Sequence, residues 1–83
     1  MYQILVENKV IKELDIIPDR IYEKIEQVIL QLKQEPRPFG VKKLGGKDEW
    51  RLRVGNYRIL YTVDDKKKRV KIYRVKHRKE AYR

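Results

Sequence analysis

The 83 residues contain no cysteine, and that absence removes disulfides, thiolate nucleophiles and thiolate metal sites together. Histidine is nearly missing too. A lone His77 excludes a site in which several imidazoles share one metal. No apolar run approaches the roughly 20 residues that a membrane-crossing helix needs. The N-terminal MYQILVEN has no basic stretch ahead of a long apolar run, which predicts a chain without a secretory leader, working in the cytoplasm. So short a chain builds one small core, so a single domain over residues 1–83 is expected. Its interior is too small to enclose a cofactor, and any active site should be an open groove or a patch on a sheet.

What the chain has in excess is positive charge, 22 Lys and Arg against 12 Asp and Glu, a net of +10. Its placement matters more than its total. Residues 1–35 carry a net charge of −2, from five basic and seven acidic side chains. Residues 36–83 carry +12, from seventeen basic and five acidic. A near-neutral half followed by a strongly basic half predicts a polyanionic partner, usually nucleic acid. A merely solvated, solubilising surface is the blander reading of the same excess.

Residues 2–6 read as a short strand. Asn8 is placed to cap a helix, and Val10, Ile11, Leu14 and Ile17 then recur at helical spacing until Pro18. A second helix is expected over residues 19–34. Ile21, Ile25, Val28, Ile29 and Leu32 make its apolar stripe, and Arg20, Glu23, Lys24, Glu26 and Lys33 lie on its wet face. The stripe is better suited to covering a sheet than to holding a partner helix. Residues 36–40, PRPFG, form a loop, and residues 41–47 read as a basic connector containing Gly45 and Gly46.

From Glu49 onward the period changes to two. Trp50, Leu52 and Val54 alternate with Arg51 and Arg53, and Gly55-Asn56 is a two-residue turn of the hairpin kind. Tyr57, Ile59, Tyr61 and Val63 alternate in the next strand. A polar turn over residues 64–68 leads to a third strand over 69–76. The tail over 77–83 is a helical turn or an extended end. The expected fold class is α+β, in the order β-α-α-β-β-β. The helical hairpin packs on one face of a small, mainly antiparallel four-stranded sheet.

Register gives the sharpest expectation. A two-residue loop at Gly55-Asn56 sets Val54 opposite Tyr57, Arg53 opposite Arg58, Leu52 opposite Ile59 and Arg51 opposite Leu60. Alternation then puts Arg51, Arg53 and Arg58 on one face, away from the helices. Like charges directly opposite each other are unfavourable by some tenths of a kcal/mol, so the cluster points to an anion site. Guanidinium suits phosphate because it offers a planar, bidentate fork and keeps its charge. Three unrelated surface arginines remain the alternative if a bulge breaks the register.

In the tail, Arg78 adds a cation, and Tyr82 could stack on a base or serve as a core-edge tyrosine. RNA cleavage by the 2′-OH needs a base, cations on the dianionic phosphorane and an acid for the leaving oxygen. Cations are plentiful here. Ordinary bases near them are few: Glu49, His77 and Glu80.

Lys43-Leu44, the run WRLRVGNYRILY over residues 50–61 and the ending HRKEAY over residues 77–82 resemble the RelE/ParE toxin superfamily across nearly the whole chain. The ending favours the RelE branch. The resemblance implies the toxin of a type II toxin–antitoxin system, a ribosome-dependent mRNA endoribonuclease that inhibits translation. It needs no metal or other cofactor, and a cognate antitoxin silences it. It implies catalytic roles for Arg51, Arg53, Arg58, Arg78 and Tyr82, with Lys43, Lys47, His77 and Lys79 on the RNA. The family pattern has lysines where Arg51 and Arg53 stand, and arginine gives up a proton far less readily, which leaves the general base open. A ParE-like toxin that inhibits DNA gyrase without catalysis, or an inactive RNA-binding relative, is the competing expectation.

Overall fold

The computed structural model describes residues 1–46 and 48–79. Strand β1 (Gln3–Val6) leads into helices α1 (Asn8–Asp15) and α2 (Asp19–Gln31). Strands β2 (Lys42–Lys43), β3 (Glu49–Val54), β4 (Tyr57–Asp64) and β5 (Arg69–His77) follow. They form one sheet in the order β1-β5-β4-β3-β2, with β1 parallel to β5 and every other pairing antiparallel. Helix α1 packs on β5 and α2 on β3.

The expected α+β layout is present, with two corrections. The sheet has five strands, because Lys42 and Lys43, read from sequence as connector, pair with Arg51 and Trp50. Two lysines have little strand preference of their own, and the ladder to β3 supplies it. At the start of α1 the N-cap residue is Glu7, and Asn8 is already helical.

The core lies between the helices and the sheet. Val10, Ile25, Leu32, Ile59, Tyr61 and Ile72 are fully buried there. Burying one such aliphatic side chain contributes about 1.5–3 kcal/mol. The Tyr61 hydroxyl, carried into this core, donates to the carbonyl of Pro36 at 2.8 Å. That bond pins the proline loop beneath the sheet end.

One irregularity shapes the outer face. β5 carries a bulge, so that Ile72 faces Tyr61 while Arg74 faces Leu60, and Tyr73 is the extra residue. Before the bulge Val70 and Ile72 point inward, and after it Val75 does. Arg74 and Lys76 are thereby turned to the face of Leu60 and Arg58. β1 stops at Val6, opposite Ile72, so the edge of β5 beyond that point needs another cover. Glu13 of α1 supplies it: its carboxylate accepts from the Val75 N–H at 2.9 Å and lies 3.3 Å from the Lys76 ammonium.

Candidate functional site

The β3–β4 hairpin has the register expected from its turn. Val54 faces Tyr57, Arg53 faces Arg58, Leu52 faces Ile59 and Arg51 faces Leu60. Gly55 has φ +59 and no other residue of the turn has a positive φ, as in a type II′ turn with glycine first. With no bulge in this pair, Arg51, Arg53 and Arg58 share the face turned away from the helices.

Arg53, Arg58 and Arg78 converge on one concavity of about 210 Å³, completed by Gly55 and Tyr57. Arg78 reaches it because its backbone N–H donates to the carbonyl of Asn56 at 2.7 Å, tying the end of β5 to the hairpin turn. The three guanidinium groups differ in setting. Arg53 and Arg78 are exposed, whereas Arg58 is only 5 % exposed. Strand pairing puts Lys76 directly across from Arg58 on the other side, so a buried cation is flanked by cationic partners on both neighbouring strands. No carboxylate of the described residues forms an ion pair with Arg51, Arg53 or Arg78. An anion with several oxygens fits such a floor, each fork taking two of them.

Arg51 stands one step away. It lines a second cleft, of about 290 Å³, with Phe39, Gly40, Lys42, Leu52 and Arg53. Arg53 belongs to both depressions, so they form one track along β3.

The remaining expected residues fall elsewhere. Lys43 pairs with Trp50 and stacks its ammonium 5.4 Å from the indole centre, on the helix side of the sheet. His77 faces Tyr57, with the rings edge-to-face at 5.3 Å, so strand parity separates it from Arg58 and Lys76. Its Nδ1 accepts from the exposed Lys79 N–H at 3.3 Å. Glu49 accepts from the Tyr73 hydroxyl at 2.9 Å. It lies four residues from Arg53, about 13 Å along the strand. Burial, then the bond to Glu49, pushes the Tyr73 hydroxyl up to about 12. Tyr82, Lys47 and Glu80 lie outside the described residues.

Lys42, Lys76 and Phe39 join the face without having been singled out from sequence. A signal existed for Lys76. Inward positions at Val70 and Ile72 followed by Val75 break a period of two, which marks a bulge and flips the residues after it.

A second polar cluster lies at the opposite end of the sheet. The Arg37 guanidinium bridges Asp48 at 2.6 Å and Asp65 at 2.9 Å. Trp50 Nε1 donates to Asp48 at 2.8 Å and the Tyr2 hydroxyl to Asp65 at 2.6 Å. The Trp50 bond, then Arg37, holds the Asp48 carboxyl below the usual carboxylate range. Arg37, then Tyr2, does the same for Asp65.

The fold and the sequence both have known relatives. The family model describing the ParE toxin of the type II toxin–antitoxin system parDE matches residues 4–82. The RelE1 protein of Methanocaldococcus jannaschii is 30% identical over 86 residues, spanning 99% of this chain and 96% of its own. The toxin in the archaeal RelE–RelB complex of Pyrococcus horikoshii superposes with TM-score 0.86 at 35% identity, over 93% of this chain and 94% of that one. The RelBE2 toxin–antitoxin complex of Mycobacterium tuberculosis gives TM-score 0.80 at 30% identity, over 93% and 98%. The chain belongs to the ParE toxin family, within the RelE/ParE superfamily of type II toxins. Among the described residues no helix is long and apolar enough to cross a membrane.

Proposed function

We propose that this toxin is a ribosome-dependent mRNA endoribonuclease, held inactive by a cognate antitoxin until that partner is lost. The observation that carries the reading is the convergence of Arg53, Arg58 and Arg78 on one concavity at the hairpin end. Arg58 and Arg78 hold the scissile phosphate. Arg51 and Arg53 stabilise the charge that develops as the 2′-OH attacks. Tyr82 stacks on a neighbouring base, and Lys47 and Lys79 add to the backbone contacts.

In such a reaction the guanidinium groups supply the positive charge for the dianionic phosphorane, and positioning the 2′-oxygen in line supplies much of the rest. The assignment of the base changes with the geometry. Glu49 is far along β3 and engaged by Tyr73, and His77 faces Tyr57, so neither is placed beside Arg58. Lys76 stands across the ladder from Arg58 with Glu13 beside its ammonium, adding a further cation there, and Glu80 and the arginines remain the expected candidates for the base. Antitoxin control is supported by relatives whose structures are RelE–RelB complexes.

The test is induced expression followed by mapping of RNA 5′ ends, for wild type and for Arg58→Lys. Lysine keeps the charge in the buried position but loses the fork. Discrete cuts inside translated regions are expected from wild type. Arg58→Lys should reduce them about 100-fold or more, as deleting one preorganised charge-stabilising donor does. DNA breaks without RNA cuts would instead support gyrase inhibition, the rival that the ParE family match keeps in view.

A further inference from the structure

Phe39 is 106% exposed, a large ring held wholly in water. Solvation alone does not place a phenyl group there, and the loop that carries it is fixed on both sides. Upstream, the Pro36 carbonyl accepts from the buried Tyr61 hydroxyl, and Arg37 is clasped by Asp48 and Asp65. Downstream, Gly40 takes φ +95, a conformation that side chains resist, and the Val41 N–H returns to the Pro38 carbonyl at 3.3 Å. The ring is therefore presented rather than merely exposed. It borders the cleft whose charged lining is Lys42, Arg51 and Arg53, with no carboxylate among the described residues that line it. Arg53 also lines the phosphate concavity, so the cleft continues that site along β3.

We propose that Phe39 is a stacking platform for one base of a single-stranded RNA, whose neighbouring phosphates follow Arg53, Arg51 and Lys42. This rests on the ribonuclease reading and names a base subsite for it. Arg51 and Arg53 are two residues apart on one face, about 7 Å, a step that successive phosphates of an extended strand can follow. The charge favours a polyanion, and the ring favours an unstacked base, because every base offers a π-face. A duplex keeps its bases stacked on one another and offers no such face. Rigid presentation of the ring lowers the ordering cost of binding.

The experiment compares wild type, Phe39→Ala and Phe39→Trp. Because the ring touches water on all sides, neither substitution removes core packing. Two quantities are read: cleavage of mRNA on programmed ribosomes, and affinity for a short single-stranded RNA carrying 2′-methoxy groups, which cannot be cut. Phe39→Ala should weaken that affinity by a factor of about 5 to 150, equivalent to about 1–3 kcal/mol per stacked base, and Phe39→Trp should restore it. One abasic position in the oligonucleotide should erase the difference between wild type and Phe39→Ala. Equal binding and cutting by Phe39→Ala would overturn the platform while leaving the ribonuclease reading intact. Loss of antitoxin binding with unchanged RNA affinity would also overturn it, marking the ring as a protein contact. A wild-type chain that neither binds nor cuts RNA would remove the reading and the platform together.

Discussion

At one end of the sheet Arg37 lies between Asp48 and Asp65, with Trp50 and Tyr2 donating to the same two carboxylates. At the other, Arg53, Arg58 and Arg78 line one hollow, completed among the described residues by Gly55 and Tyr57. The β3–β4 hairpin spans both ends, so the contrast is built into a single supersecondary unit. It teaches how to separate arginines that build from the arginines proposed to bind. The first kind brings its counter-charges with it, and the chain sets its loops by the resulting bonds. The second kind faces its own kind across the ladder, an arrangement that costs some tenths of a kcal/mol per pair and makes sense when an anion completes it.

The largest expected effect comes from placing a carboxylate on the ladder beside Arg58. Arg53→Glu places an acid directly opposite Arg58. An opposite-charge cross-strand pair contributes roughly 0.2–1 kcal/mol, so the melting temperature should rise slightly. RNA cleavage should fall by roughly 1,000-fold or more, since a phosphate-stabilising donor is lost and a repelling charge is added. Retained cleavage in this variant would erase the distinction between the two ends.

The mirror experiment is Arg37→Ala. It removes bonds to two carboxylates but nothing at the hollow. After allowance for solvent screening, a loss of about 1 kcal/mol is expected, or about 4–8 °C in Tm for a domain of this size. Cleavage measured well below the new Tm should change less than about threefold. A loss of activity comparable to that of Arg53→Glu would mean that the clasp also shapes the site, most directly through the Pro36–Gly40 loop.

Much of this contrast is legible in the sequence itself. Gly55-Asn56 fixed the hairpin register, and register placed Arg51, Arg53 and Arg58 on one face without knowledge of the helices. The helical hairpin followed from the stripe in α2 and from Pro18, and the connector that became β2 did not, since its strand character comes from pairing with β3. The burial of Arg58 was hidden too, because alternation assigns a face and not a depth. The clasp was illegible for a different reason. Its members come from residues 2, 37, 48, 50 and 65, and no local period links positions that far apart.

A smaller effect concerns salt. If about four cations neutralise phosphates, the logarithm of affinity for single-stranded RNA should fall with the logarithm of salt concentration at a slope of roughly −3. Arg53→Ala should make the slope shallower by about 0.7, and Arg37→Ala should leave it unchanged. Equal shifts in both variants would show that the whole basic surface binds diffusely.

The smallest effect is a difference within the clasp itself. Both carboxyls titrate below their usual value, so each stabilises the fold fully above its unfolded value, near pH 4, and loses that contribution as pH falls through its lowered folded value. Thermal stability should therefore be level from about pH 7 to 5 and decline below about pH 4. The leading causes differ: for Asp48 it is the Trp50 N–H, for Asp65 it is Arg37. In Arg37→Ala, carboxyl titration followed by NMR should show Asp65 moving most of the way back to its ordinary value, while Asp48 stays depressed by the indole. Equal recovery of both carboxyls would show that Trp50 does little at Asp48. The arginine would then be the single element holding that end of the sheet together.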